Sequence, residues 1–580
     1  MNNSQRPKKR IAIVGAGPSG LFTLKRLLES EERDFAVDIY EAKSQLGSGM
    51  PYSELGASSE HITNVSGNEI PELETSVLEW IEQQPEEGLN NFNCKNGEFN
   101  DYKVMPRLLF GKYLAAQFEL LLKKASECGI EVNVHLDTLV GDVIDCPSGN
   151  NISLSIEGGD NKEFEHVIVA TGHVWPRTHE GKVPGYFDSP YPPKKLAMRL
   201  NHNVAVRGSS LTAIDGIRTM ARSNGRFIEG EDGKLRFEAN ADSQDFRITM
   251  HSRQGLLPSI RFHLEDPHLS KEFIMSQDEL ERHKQENQGF ISLDYVFQRD
   301  FRDLFAEKDP EFYDFIKHMS IEEFVDAMLK KRVEADPYLF FKFEYEEAEK
   351  SIRERQSVHW KEMLAVLSFA MNYPAKHFSA EDMHRLQKVL MPLISIVIAF
   401  VPQSSCRELF ALFDADRLEI ISVGDDSRVE VNASAGIEVI YGDDLGNERK
   451  TVYHTFVDCI GQKHLSFKDF PFKSLTSNAS VAPARLKFRD MKNAEKLSAA
   501  DKEKLFKGAD GLYYLTLPGL AINDAFEALN EKGEANPRLF LMAVPFLGGH
   551  NPDYSGLDFC EEASKRIVNR IFQAPINEGE

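Results

Sequence analysis

The chain has 580 residues, 41% of them hydrophobic and 27% charged, with a formal net charge of −23; that is length for several domains and an ordinary globular composition. So acidic a balance argues against nucleic acid or an anionic membrane as the main partner, since both need a basic surface. The six cysteines (Cys94, Cys128, Cys146, Cys406, Cys459 and Cys560) form no CxxC pair and no metal-ligand spacing, and MNNSQRPKKR has no apolar signal stretch behind it, so the expected setting is a reducing cytoplasm with no metal.

Ile11–Val14 is an apolar run that enters Gly15-Ala16-Gly17-Pro18-Ser19-Gly20, followed by a helical pattern and a short strand, Val37–Tyr40, ending on Glu41. This order of strand, glycine turn, helix, strand and acid is the full context of a dinucleotide fingerprint. Gly15 allows the tight turn, Gly17 lets backbone approach a pyrophosphate, and Gly20 lets the helix pack on the strand. Pro18 and Ser19 open the helix whose N-terminus faces the phosphate charge. Glu41 is spaced to hydrogen-bond a ribose 2′-OH.

A loop-rich stretch, Leu46–Pro71, holds Gly47-Ser48-Gly49-Met50-Pro51-Tyr52 and His61-Ile62-Thr63-Asn64, and a helical region runs on to about Cys128. Residues 131–169 read as a β-meander: Glu131–Leu136, Leu139–Asp145, Ile152–Ile156 and Glu165–Val169. It ends in Ala170-Thr171-Gly172, where a bulky residue would clash with a bound dinucleotide; His173 follows as a structural residue or a proton relay.

A second unit then starts. Asn203–Val206 enters Gly208-Ser209-Ser210-Leu211-Thr212-Ala213-Ile214-Asp215, then come a helix, a polar insertion (about Ser223–Asp245) and the strand Phe246–His251. Ser210 stands where the middle glycine would be, placing a side chain where the pyrophosphate approaches; Ala213 takes the third position. Asp215 reads as serving the helix N-terminal field or packing. Arg253 closes the second strand, where a guanidinium favours a 2′-phosphate, hence NADPH over NADH.

Residues 266–400 carry charged helix formers at helical spacing and read as a helical insertion expected to set substrate identity. Within it Trp360, Phe340, Phe341 and Tyr345 line a pocket or fill a core. The apolar run Val389–Val401, broken by Pro392, is too short to span a bilayer and reads as a buried helix. Strands return at Leu418–Ser422, Arg428–Asn432, Gly436–Tyr441 and Thr451–Asp458, ending in Asp458-Cys459-Ile460-Gly461. The C-terminal part has a strand (Leu539–Val544), a turn at Gly548-Gly549-His550 and a helix, a unit that could return to the first domain.

The predicted fold is α/β: two Rossmann-like dinucleotide-binding units with β-meanders and a helical insertion. The expected domains are 8–195 completed by 466–580, 196–265 plus 401–465, and the insertion 266–400.

The motifs GAGPSG (15–20), LGSGMPY (46–52), HITN (61–64), PRLLFGKYL (106–114), VIVATGH (167–173), GSSLTAID (208–215) and HSRQGLLP (251–258) resemble the two-dinucleotide-domain flavoproteins. That class holds flavin and N-hydroxylating monooxygenases and pyridine-nucleotide reductases; more narrowly, the chain resembles the bacterial FAD-NAD(P)-binding family. The resemblance implies FAD on the first unit and NAD(P)H on the second. It implies Gly49, Arg107, Thr171 and Gly172 at the flavin, and Asn64 and His61 beside the isoalloxazine as catalytic candidates. Gly208, Ser210, Leu211 and Thr212 would hold the nicotinamide dinucleotide, and Gly548 and Gly549 replace the reductases' usual Gly-Asp flavin contact. The implied activity is NADPH-driven oxidation–reduction of a small molecule, with monooxygenation or N-hydroxylation first. A reductase without oxygenation and a non-catalytic FAD-binding sensor or interaction protein are the alternatives. Disulfide reduction needs a cysteine pair beside the flavin, and the sequence has none.

Overall fold

The computed structural model describes residues 8–92, 94, 97, 99–265, 275–432, 436–443, 445–461, 464–497, 499–550 and 556–572. The opening residues 1–7 and residues 266–274, where the insertion was expected to begin, lie outside the described residues.

Six strands form the first sheet, in the spatial order Glu527–Leu529, Ala535–Leu541, His166–Val169, Lys9–Val14, Phe35–Tyr40 and Glu131–His135. All neighbours are parallel except the first pair. Phe35–Tyr40 is buried at every position, the signature of a strand covered on both faces. Helix Pro18–Glu29 buries Leu21, Leu24 and Leu28 in the same core as Ala563 and Ile567 of helix Gly556–Phe572. The C-terminal segment thus returns to the first unit, where Met542 N–H donates to Val169 O at 2.8 Å.

The second sheet is parallel throughout, in the order Tyr186–Phe187, Thr455–Asp458, Asn203–Arg207, Arg247–Ser252 and Leu418–Ser422. Each sheet therefore has an antiparallel companion: Val140–Cys146, Asn151–Ile156 and Lys162–Phe164 beside the first, and Arg428–Asn432, Gly436–Gly442 and Glu448–Tyr453 beside the second.

Two expectations are corrected. Glu131–His135 and His166–Val169 are parallel members of the first sheet, so the meander is shorter than residues 131–169. Glu131–His135 lies at the sheet edge, and an edge strand with one wet face alternates as a meander strand does. The polar insertion expected at about 223–245 contains a hairpin, Gly225–Glu229 with Leu235–Ala239. The expected strand 451–458 breaks at His454: Glu448–Tyr453 stays antiparallel while Thr455–Asp458 enters the parallel sheet.

The helices from Gln277–Glu286 to Met391–Val397 build a core around Phe297, Phe301, Phe324, Leu364 and Leu393. That core continues into Ala484, Leu486, Leu515 and Leu517 of a three-stranded antiparallel sheet, Pro483–Lys487, Tyr513–Leu520 and Leu505–Lys507. The apolar run near Pro392 is the buried helix Met391–Val397, and no helix among the described residues is long and apolar enough to cross a membrane.

Candidate cofactor site

One cavity of about 1110 Å³ is lined by residues of both units. In the first unit Val14, Gly15 and Ala170, at the carboxyl ends of two adjacent parallel strands, form its floor, the place where open α/β sheets bind ligands. Gly15 has φ +107, and a Cβ there would lie 2.5 Å from Ala170 O. A Cβ on Gly17 would lie 3.2 Å from Gly49 Cα, so the two glycines let the turns meet beneath the cavity. Gly20 does not line it; its Cβ would lie 2.4 Å from Gly15 O, which is the helix–strand packing role expected of it.

Helix Pro18–Glu29 starts on Gly17 with no side-chain cap and no acid in its first turn. Its positive end is left open to the cavity that Pro18 and Ser19 line. Glu41 also lines the cavity; its carboxylate accepts from Ala16 N–H at 2.8 Å and Lys43 N–H at 3.0 Å, with lone pairs left for a ribose hydroxyl. Thr171 Oγ1 is buried with no protein partner, and a Cβ on Gly172 would meet nothing within 4 Å; both residues line the cavity. An orphaned hydroxyl, an uncapped helix and a glycine cradle are the features that a bound dinucleotide satisfies, so the residues present fit FAD.

In the second unit Gly208 has φ +111 and a Cβ there would lie 2.8 Å from Cys459 O. Helix Leu211–Asn224 begins on Ser210, again with no side-chain cap and no acid in its first turn. Leu211 and Thr212 line the shared cavity, whereas Gly208 and Ser210 do not. Ser210 is exposed, with extended backbone (φ −92) that any residue adopts. The turn thus needs no glycine at this position for backbone reasons. Arg253 follows strand Arg247–Ser252, with its side chain 71% exposed and 3.7 Å from Asp425. Ser422 Oγ and Gly424 N–H hold its carbonyl, so the guanidinium, ion-paired with Asp425, stands on a fixed backbone at the strand end, outside the set of residues that line the cavity.

Where the units meet, Arg107 lines the cavity and places Nη1 2.5 Å from Asp215 Oδ2. Its Nε donates to Ile62 O at 3.2 Å. Tyr191 hydroxyl donates to the same Asp215 oxygen at 3.2 Å. The Arg107 guanidinium beside Asp215 holds that carboxyl below the usual range against the opposing effect of burial, and burial pushes the Tyr191 phenol up.

Several site expectations are corrected. His61 does not line the cavity. Its ring is buried, Nδ1 accepts from Ser58 N–H at 3.1 Å, and Nε2 lies 3.1 Å from both Asp215 O and Thr219 Oγ1. A ring whose Nδ1 accepts a backbone N–H carries its proton on Nε2, and desolvation by burial lowers its pKa. Asn64 does line the cavity, with its carbonyl held by Arg261. Gly548 and Gly549 do not: added Cβ atoms would meet His464 and Pro518, so these glycines allow close packing instead. No described residue of 276–398 lines the cavity. Phe341 and Tyr345 pack on Phe410 at 5.3 and 5.4 Å, Phe340 borders a void of only about 10 Å³, and Trp360 packs against the helical core. Sequence reading missed Tyr191, Trp175, Phe472 and Val544, which line the cavity; the loop residues among them carry no periodicity that could mark them.

Two mainly parallel sheets, each followed at one strand end by a glycine turn and a helix, border one shared cavity, an arrangement with room for two dinucleotides. Residues 12–174 match the family described as FAD-NAD(P)-binding, and residues 276–398 match the YdhS-like middle domain. Over 469 residues the chain is 29% identical to the uncharacterized protein YdhS of Escherichia coli (strain K12), covering 80% of this chain and 86% of that one. Among solved structures it is similar to the ornithine N-hydroxylase KtzI of Kutzneria sp. 744 (TM-score 0.45, 13% identity, 97% of this chain and 99% of that one). It is also similar to L-lysine 6-monooxygenase of Pseudomonas syringae (0.46, 12%, 97% and 98%) and to the bacillithiol disulfide reductase Bdr of Staphylococcus aureus (0.41, 10%, 97% and 98%).

Proposed function

We propose that this chain is an FAD-dependent oxidoreductase driven by NADPH that oxygenates a small molecule, with N-hydroxylation of an amine as the particular reaction. The observation that carries the reading is the shared cavity: Gly15 and Gly17 of the first turn and Leu211 and Thr212, which open the helix after the second turn, line one continuous space. Bound FAD would supply hydride acceptance from a nicotinamide and onward delivery of electrons to oxygen. The chain's own residues bind and orient. The helix from Pro18 and the Gly15–Gly17 turn receive a pyrophosphate, Glu41 receives a ribose, and Thr171 and Gly172 leave room for the ring system. Leu211 and Thr212 bring a second dinucleotide to the same space, with Arg253 as the receiver of a 2′-phosphate. The Asn64 amide is the side chain proposed to hydrogen-bond the flavin edge.

Thiol chemistry has no support. Cys560 is the one cysteine lining the cavity, 3.4 Å from Ser19 Oγ, and burial pushes its thiol up to about 12. A protonated thiol without a second cysteine beside it cannot run disulfide exchange. The alternative of a non-catalytic sensor rests on Ser210 standing in the place of the middle glycine, and bleaching of the flavin by NADPH decides against it.

The test is to load the protein with FAD, mix it with NADPH in air, and follow flavin absorbance, oxygen uptake and hydroxylamine formation across a panel of small amines. NADPH-dependent bleaching with oxygen uptake that yields hydroxylamine with one amine is expected. Bleaching without oxygenated product on any amine would replace oxygenation by simple reduction.

A further inference from the structure

Helix Leu211–Asn224 is gripped by the first unit along one side of its first two turns. Asp215 takes Arg107 and Tyr191. One turn on, Thr219 Oγ1 donates to Glu60 at 2.5 Å and lies 3.1 Å from His61 Nε2. The same His61 nitrogen lies 3.1 Å from Asp215 O. Glu60, His61 and Arg107 belong to the first unit, Tyr191 to the connection between the units, and Asp215 and Thr219 to the second unit's nucleotide helix. The grip is dry: the Asp215 side chain is 6% exposed and that of His61 1%.

Its position matters. Leu211 and Thr212 line the cavity, and Asp215 lies about 6 Å further along the same helix axis. A helix is stiff over that distance, so pinning Asp215 fixes where the second phosphate turn stands. The anchor on the other side, Arg107, itself lines the cavity. The pin therefore touches the space that the flavin is proposed to occupy and holds the element proposed to carry the nicotinamide dinucleotide.

We infer that Asp215 and Tyr191 are positioning residues that act through Arg107 to hold the second nucleotide unit at hydride-transfer distance from the first. The inference rests on the proposed FAD and NADPH function. A loosened pin leaves each cofactor site intact and spoils only their mutual placement, and small misplacements of reacting centres cost up to about a hundred-fold in rate.

The test compares wild type with Asp215→Asn, Tyr191→Phe, Arg107→Lys and Arg107→Met, each loaded with FAD. In anaerobic rapid mixing, Asp215→Asn is expected to lower the limiting rate of flavin bleaching by NADPH at least about ten-fold. Half-saturation by NADPH, flavin content and bleaching by dithionite should stay near wild type. Tyr191→Phe should show a smaller fall, and Arg107→Lys should recover part of what Arg107→Met loses. Independently of turnover, amide exchange without NADPH should speed up in both 107–114 and 211–224 for Asp215→Asn. Wild-type bleaching rates, or a weaker NADPH half-saturation with an unchanged limiting rate, would overturn the inference. Should Asp215→Asn fail to fold, Tyr191→Phe decides alone: an unchanged rate and unchanged exchange overturn it. A wild-type protein that neither NADPH nor NADH bleaches sinks the functional reading; amide exchange then still tests the pin, and unchanged exchange in 211–224 rejects it.

Discussion

Single residues carry most of what can be tested quickly. Gly15 has φ +107 and its Cβ would sit 2.5 Å from Ala170 O. Gly15→Ala should therefore destabilise the first unit by about 1–3 kcal/mol through backbone strain and displace the strand end beneath the cavity. The expected outcome is a protein that purifies with little flavin, read from its visible absorbance. Arg253 is the residue proposed to receive the 2′-phosphate of the second dinucleotide. A charge-assisted hydrogen bond is worth about 1.5–3 kcal/mol, so Arg253→Gln should raise the NADPH concentration for half-maximal bleaching by about ten-fold or more. The NADH value should barely move. Equal loss with both donors would remove Arg253 from the 2′-phosphate role. The glycines were legible in the sequence because their demands are local: a positive φ and a close approach. His61 was not, since its partners Asp215 and Thr219 lie more than a hundred residues away; nothing in HITN distinguishes a cavity-facing histidine from one buried between units.

At the scale of elements, the second unit stores a pH dependence in strand Arg247–Ser252. His251 is buried under its companion sheet, with Nε2 3.3 Å from the Tyr453 hydroxyl. Burial pushes its pKa down to about 4. The unfolded chain takes up this proton near pH 6.5 and the folded chain only near pH 4, so the stability contribution is complete above pH 6.5 and is lost as pH falls from there toward 4. His251→Gln should flatten the fall in unfolding temperature over that window; His166, also pushed down to about 4 by burial, keeps part of the slope. An unaltered slope in the variant would show that His251 is not the group responsible. The helical insertion tells a different story. Arg332 and Lys361 both pair with the buried Glu344, which also accepts from Ser259 Oγ of the segment leading out of the second unit. Removing one partner of such a cluster strands the opposite charge, so Glu344→Gln should cost about 3–5 kcal/mol, measured by urea unfolding. Helical spacing made the insertion visible in the sequence, but an apolar face looks alike whether it meets a ligand or another helix. Phe340, Phe341, Tyr345 and Trp360 turned out to pack within the protein.

For the whole molecule, the architecture is a repeated plan with the halves joined at the cavity. The repeat was readable because each half starts with the same strand–turn–helix chemistry. The edges were not: which short strands join a parallel sheet and which form the antiparallel companion depends on pairing between distant segments, as for Glu131–His135 and Thr455–Asp458. The described residues of the insertion do not line the cavity, and they share a core with the sheet containing Leu486 and Leu515. The insertion supports the C-terminal part of the chain, so selectivity for a small substrate is expected to follow changes at cavity residues such as Phe472, Leu55 and Trp175 rather than changes in the insertion. Exchanging Phe472 for Ala should alter which compound stimulates oxygen uptake, while substitutions on the exposed face of helix Pro337–Glu354, such as Phe343→Ser, should leave that preference unchanged. The central claim, that both turns serve one redox cavity, is tested most directly by the visible spectrum of the FAD-loaded protein before and after NADPH is added in air. The account expects a flavin band that bleaches on NADPH addition and recovers with consumption of oxygen once NADPH is exhausted. A protein that takes up no FAD, or a bound flavin that stays oxidised under excess NADPH and NADH alike, would contradict it.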